Sequence, residues 1–135
     1  MSADDDLGGH DRPARHQPVP LHGAAQRLTI HVDETVQHRH HPLYVEIVHR
    51  AHAQGMAGAT VLRGVEGYGA SNHIHTMRML SLSEDLPVLV VIIDNRERIA
   101  LFLQDIKPIL GDGLIVLEDV DVVFYSGRPP EDTLT

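Results

Sequence analysis

The segment that most restricts the fold is residues 86–93 (LPVLVVII), which are apolar at nearly every position. A short run of β-branched and aliphatic residues predicts a strand that is buried on both of its faces. Helices can cover one face of such a strand, and a second layer must then cover the other.

Three further segments carry strand patterns. Leu28, Ile30 and Val32 alternate with polar residues, which predicts a first strand. Residues 59–66 (ATVLRGVE) are short and β-branched, and residues 114–125 begin with the apolar run LIVL. That run does not alternate either, so the last strand also needs cover on both faces.

Two amphipathic helices separate these strands. Pro42 suits the first turn of the first helix, and Gly55 ends it. Asp94 and Glu97 have the spacing of a capping box and predict the start of the second helix, which Pro108 should bend or end. The apolar faces comprise Leu43, Tyr44, Ile47, Val48 and Ala51 in the first helix and Ile99, Phe102, Leu103 and Ile106 in the second.

The resulting order, β-α-β-β-α-β, predicts an α+β protein with a ferredoxin-like sandwich. Two helices can cover only one face of a four-stranded sheet. Another copy of the chain is the most economical cover for the second face, so we predict an oligomer that forms through the open sheet face. The alternative is that β-branched residues simply favour strands.

The composition limits the domain organisation and the class of protein. Residues 1–26 are rich in Pro, Gly, His and charged residues and predict a disordered tail, residues 27–125 form one domain, and residues 126–135 form a second tail. The net charge of -8 argues against a nucleic-acid binder, and the lack of cysteine excludes disulfides. Without a secretory signal or a membrane-spanning run, we expect a cytoplasmic protein that is not embedded in a membrane.

The most informative loop follows the second strand, where Gly64, Gly67 and Gly69 have the spacing GxxGxG. A strand precedes it and no helix opens after it, so it is not a dinucleotide fingerprint. The connection is long for a hairpin, which is typical of a functional loop, although a flexible connection would also explain it. A second cluster, residues 111–113 (GDG), would by itself be a turn.

Residues 42–44 (PLY), 55–69 (GMAGATVLRGVEGYG) and 82–88 (LSEDLPV), together with Asp94, resemble the DUF190 (UPF0166) family. The resemblance covers roughly residues 27–125. The family is similar to PII signalling proteins, so the resemblance implies a PII (GlnB)-like subunit, a homotrimer and a mobile T-loop at about residues 67–85. It implies a regulatory protein and not an enzyme.

In PII-like proteins, adenine nucleotides bind in clefts between subunits, between the base of the T-loop and a glycine loop before the last strand. By position, the resemblance implies the ligand-binding residues Arg63, Gly64, Glu66, Gly67, Tyr68, Gly69, Gly111, Asp112 and Gly113. Leu114 stands where PII proteins have a phosphate-binding lysine, so the candidate cations are Arg63, Arg78, Arg96 and Arg128. The T-loop would signal to a partner protein, such as a membrane transporter or an enzyme.

Two other functions stay open. Eleven histidines include His73 and His75, which point to one side of an extended segment, and a cluster of His38, His40 and His41. A CutA-like trimer that binds a divalent metal through His73 and His75 is the alternative function. An enzyme ranks last, because its possible acids and bases lack a nucleophile or cofactor motif. These residues are His31, Glu34, Glu66 and His75.

Overall fold

The computed structural model describes residues 21–68, 75–76 and 86–127. The helices and strands are β1 (Gly23–Asp33), β2 (Gln37–His38), β3 (His41–Pro42), α1 (Leu43–Ala53), β4 (Thr60–Arg63), β5 (Glu66–Gly67), β6 (His75–Thr76), β7 (Pro87–Asp94), α2 (Arg96–Leu110) and β8 (Leu114–Val122). The main sheet is antiparallel in the order β4-β7-β1-β8, and α1 and α2 pack on one face of it. The predicted α+β ferredoxin-like arrangement is confirmed.

The core lies between the two helices and every second residue of β1 and β7. Its members are fully or almost fully buried: Leu28, Ile30, Val32, Leu43, Ile47, Ala51, Val88, Val90, Ile92, Ile99, Phe102, Leu103, Ile106 and Leu110. Burying one large aliphatic side chain contributes about 1.5–3 kcal/mol, so this layer supplies most of the driving force for folding. The apolar positions predicted for both helices all pack in or against it.

The other face of the sheet has no such cover among the described residues. The strand register places Leu62, Leu89, His31 and Leu114 in one row across all four strands of that face. Leu62 is 51% exposed and Leu114 is 54% exposed. The apolar residues that prevent alternation in β7 and β8 therefore lie on this surface, which we call the open face.

The start of α2 differs from the prediction. Asn95 is the N-cap residue, and its side-chain oxygen accepts a hydrogen bond from the backbone N–H of Arg98 at 2.9 Å. The predicted capping box at Asp94 is therefore wrong by one residue. The reason is that Asp94 is still the last residue of β7 and is buried at only 3% exposure.

Of the two effects predicted for Pro108, ending the helix is wrong, because α2 continues to Leu110. Pro108 removes one backbone hydrogen bond, but Leu110 is buried in the core and holds the last turn in place. Gly111 then ends the helix with a positive φ of 61°, as predicted.

Three strand boundaries also differ from the predicted ones. β1 begins at Gly23, inside the stretch assigned to the N-terminal tail, because residues 23–26 pair with β8 although their small and polar side chains give no strand signal. β4 ends at Arg63 instead of reaching Glu66, which belongs to the separate strand β5. β8 ends at Val122, before Tyr125. Most of the predicted tails and of the predicted T-loop lie outside the described residues.

Within the described ranges, no helix is long and apolar enough to cross a membrane.

Candidate functional site

One end of the sheet collects most of the residues singled out by the sequence. Because the strands are antiparallel, β1 and β4 end where β7 and β8 begin. The turn after β1, the residues after β4 and the glycine loop before β8 therefore all lie at this end, which we call the loop end.

The residues after β4 are tied to both neighbouring segments of the loop end. The Arg63 guanidinium donates a hydrogen bond to the carboxylate of Glu34 in the turn after β1. The backbone N–H of Gly64 donates to the carbonyl of Pro87 at 2.7 Å, and that of Glu34 donates to the carbonyl of Leu86 at 3.0 Å. The root of the predicted T-loop is thus hydrogen-bonded to the turn after β1 and to the start of β7.

The close approach at this root explains the glycine. A Cβ atom on Gly64 would lie 2.7 Å from Cγ of Pro87 and 3.3 Å from its carbonyl oxygen. No other residue fits unless Pro87 moves. Gly64 therefore lets the two chain segments come together before they separate.

Beyond Gly64 the chain forms a narrow ribbon. Residues 66–67 in β5 pair with residues 75–76 in β6, and Tyr68 at the end of the described stretch is exposed. The predicted ligand residues Glu66, Gly67 and Tyr68 lie in this ribbon. Gly69, His73 and Arg78 lie outside the described residues, and His75 is described only as part of the β6 backbone.

The second glycine cluster forms a turn that lies against β1. Gly111 ends α2, Asp112 is exposed, and Gly113 packs so closely on β1 that a Cβ atom there would lie 2.9 Å from the carbonyl oxygen of His31. Gly113 is thus required by its contact with β1, whereas Gly111 is required by its positive φ.

The structure does not bring the two groups of predicted site residues together within one chain. Arg63 and the ribbon follow β4 at one edge of the sheet, and the loop 111–113 precedes β8 at the other edge. Three inter-strand spacings separate these edges, which is about 14 Å. Within a single subunit the two groups line separate surfaces.

The candidate cations are also dispersed. Arg63 is at the loop end and its side chain is 52% exposed. Arg96 begins α2 at the opposite end of the sheet, where it contacts Asp119 at 3.4 Å. Arg128 lies outside the described residues. Sequence reasoning overlooked Arg39, which is exposed at the turn between β2 and β3 and has a positive φ of 48°.

The cluster of histidines before α1 contacts a carboxylate. Nε2 of His41 lies 2.9 Å from Oε2 of Glu46, and Nε of Arg50 donates to Oε1 of Glu46 at 2.9 Å. These hydrogen bonds, that of His41 first, lower the pKa of Glu46 to about 2. The ring of His38 lies edge-on to that of His41, with centroids 6.3 Å apart.

No three potential metal ligands converge in the part of the chain that the structure describes. The predicted site at His73 and His75 stays a prediction, because neither side chain is described. The residues considered for acid–base chemistry are spread over the molecule: His31 is on the open face, Glu34 is paired with Arg63, and Glu66 is exposed in β5.

A groove of about 670 Å³, which sequence reasoning missed, lies on the open face at the end opposite the loop end. Its floor includes Arg27, whose guanidinium bonds to Glu118 at 2.8 Å; this bond raises the pKa of Arg27 and lowers that of Glu118. The segment after β8 forms one wall, and the hydroxyl of Tyr125 donates to the carbonyl of Ala57 at 3.1 Å. Phe124 in that wall is 81% exposed.

Several solved structures share the fold. A nitrogen regulatory PII-like protein from Thiomonas intermedia K12, CPII, bound to ADP, AMP and bicarbonate, aligns with a TM-score of 0.57 and 18% identity over 73% of this chain and 88% of its own. The same protein bound to ADP, AMP and acetate aligns with a TM-score of 0.53 and 16% identity over 82% and 95% of the two chains.

Sequence relatives extend over nearly the whole domain. A UPF0166 protein of Aquifex aeolicus is 40% identical over 97 residues, which is 72% of this chain and 91% of the relative. A UPF0166 protein of Methanocaldococcus jannaschii is 30% identical over 108 residues, which is 79% of this chain and 97% of the relative. The family model DUF190, described as an uncharacterized ACR, matches residues 25–122. The chain therefore belongs to the DUF190 (UPF0166) family and has the fold of the PII-like proteins.

Proposed function

We propose that this chain is a cytoplasmic, non-enzymatic PII-like regulator. It binds an adenine nucleotide in clefts between the subunits of a homotrimer, and its T-loop then acts on a partner protein such as a membrane transporter or an enzyme. The observation that carries the proposal is the division of the glycine-rich loop end between the two edges of one sheet.

This division favours a site that is shared between copies. The ribbon at the β4 edge and the loop 111–113 at the β8 edge become two walls of one cleft when the β4 edge of one copy lies beside the β8 edge of the next. A contact of this head-to-tail kind closes into a ring of three when each copy is rotated by a third of a turn from the last. Leu62 in β4 and Leu114 in β8 are exposed near the loop end, on the two strands that this contact would bring side by side.

The chemistry of the walls suits a nucleotide. Glycine loops let backbone N–H groups approach phosphate oxygens, and a guanidinium is the preferred side-chain partner of phosphate. Arg63 and the residues 64–68 supply these groups at one wall, and residues 111–113 supply backbone at the other. CPII, which shares the fold, has a solved structure with ADP and AMP bound.

Calorimetric titration with ADP, AMP and ATP, combined with sedimentation, tests the proposal. We expect a trimer that binds at least one of the three nucleotides, and a loss of affinity in Arg63→Ala. Arg96→Ala is the matched control, because it removes an exposed arginine at the opposite end of the sheet. A monomer, or a trimer that binds none of the nucleotides, would contradict the proposal.

A further inference from the structure

The ion pair of Arg63 and Glu34 joins two strands that are not neighbours. Arg63 ends β4 and Glu34 follows β1, and the start of β7 lies between them. The arginine side chain therefore passes over the Leu86–Pro87 segment, whose carbonyls also accept the hydrogen bonds from Glu34 and Gly64. The pair fastens the root of the T-loop to the turn after β1.

The two partners have different surroundings. The Glu34 side chain is only 19% exposed, and its second oxygen, Oε2, is buried without a hydrogen-bond partner among the described residues. A carboxylate in such surroundings depends on its cation for compensation. Arg63 is more than half exposed, and its guanidinium carries further donors besides the one bonded to Glu34.

We propose that Glu34 is an internal competitor for the phosphate-binding cation of this site. In the free protein Glu34 holds Arg63. A phosphate group that reaches the loop end draws Arg63 toward itself and weakens the bond to Glu34, so that ligand binding loosens the root of the T-loop from the turn after β1. The inference rests on the proposed function, since it names the regulation of the same site.

Two consequences follow from the reciprocity of linked equilibria. If phosphate weakens the ion pair, then removal of the ion pair strengthens phosphate binding by the same factor. Removal of the negative charge of Glu34 also ends its repulsion of the phosphate. A partly exposed ion pair changes an equilibrium modestly, so we expect an effect on affinity of about two- to fivefold.

The first experiment measures ADP affinity by calorimetry in the full chain. Glu34→Gln should bind ADP about two- to fivefold more tightly than the wild type, while adenosine, which has no phosphate, should bind equally to both. In an Arg63→Gln background, Glu34→Gln should no longer improve ADP binding. Glu97→Gln is the control of equal charge change, because Glu97 lies in the first turn of α2 at the other end of the sheet.

The second experiment follows hydrogen exchange of the backbone amide of Gly64, first in the free protein and then with saturating ADP. Glu34→Gln should speed this exchange in the free protein, and saturating ADP should speed it in the wild type. Unchanged exchange in Glu34→Gln overturns the inference even if no nucleotide binds. An ADP affinity of Glu34→Gln that equals the wild-type affinity or is weaker also overturns the inference. The same holds if Glu34→Gln improves ADP affinity equally in the Arg63→Gln background. In all these cases the proposed function stands. Failure of every adenine nucleotide to bind the wild type refutes the proposed function instead.

Discussion

Asp94 holds the loop that precedes β4 in place by accepting a hydrogen bond from the backbone N–H of Ala57 at 2.9 Å. The same carboxylate accepts from the backbone N–H of Asn95 at 2.8 Å and lies 3.3 Å from Nε of Arg98. Arg98 in turn donates to the carbonyls of Gln54 and Gly55. One buried carboxylate thus connects the end of α1, the start of β4 and the start of α2.

We expect Asp94→Ala to destabilise the fold by about 2–4 kcal/mol, because it leaves the buried donors and Arg98 without their acceptor. Asn95→Ala is the comparison, since it removes only the helix cap and should cost about 1 kcal/mol. Urea unfolding of both variants measures the difference. Equal losses of unfolding free energy in the two variants would mean that the hydrogen bonds of Asp94 contribute no more stability than the Asn95 helix cap.

Acid should weaken the contact between the β2–β3 turn and α1. The pKa of Glu46 in the folded protein is about 2, below its ordinary value of 4.5, because His41 and Arg50 donate hydrogen bonds to it. A depressed folded pKa contributes stability that is fully present above pH 4.5 and is lost as the pH falls toward 2.

Glu46→Gln should therefore lower the unfolding free energy at neutral pH and flatten its fall between about pH 5 and pH 2. Urea unfolding at a series of pH values gives both quantities. Glu97→Gln is the control, since it removes an exposed carboxylate from the first turn of α2. If the unfolding free energy of Glu46→Gln falls with pH as steeply as that of the wild type, Glu46 is not the cause of the fall.

The order of the elements could be predicted because each local pattern agrees with the final packing. Leu28, Ile30 and Val32 alternate in the sequence and are all buried against the helices. The apolar run of β7 supplies both faces of the sheet, since Val88 and Val90 face the core while Leu89 lies on the open face; the cover predicted for that open face stays a prediction.

The predictions from the sequence fail where tertiary contacts outweigh the local sequence pattern. Asp94 has the side chain of a helix cap, but the loop before β4 uses its carboxylate, and Asn95 caps α2 instead. The pair of Arg63 and Glu34 could not be predicted, because it joins strands that are separated in the sheet by a third. The groove at the other end of the open face is formed where the segment after β8 crosses the sheet. The path of that segment cannot be predicted from hydrophobic periodicity.

Two glycines offer a direct test of the root of the predicted T-loop. Gly64→Ala would put a methyl group 2.7 Å from Cγ of Pro87, whereas a methyl group on Gly58 would meet nothing within 4 Å. We expect Gly64→Ala to destabilise the protein by about 1–3 kcal/mol and Gly58→Ala to be near neutral. Thermal unfolding compares the two variants. Equal melting temperatures would show that Pro87 can move away from the added methyl group without a loss of stability.

The open face should be tested through a residue whose substitution leaves the subunit intact. Leu62 is 51% exposed in the row of open-face residues, so Leu62→Glu adds a charge without disturbing the core of the subunit. If copies of the chain cover this face, a buried and unpaired carboxylate opposes their association. Leu101→Glu is the matched control, because Leu101 is a similarly exposed leucine (63%) on α2.

We expect the wild type and Leu101→Glu to sediment as the same oligomer at micromolar concentration, and Leu62→Glu to sediment as a folded monomer. Circular dichroism establishes that each variant retains its secondary structure. An oligomer that survives Leu62→Glu unchanged would mean that the apolar row of β4, β7 and β8 is not what holds the copies together. The cleft proposed between the β4 edge and the β8 edge would then lose the support that burial of the exposed Leu62 gives it.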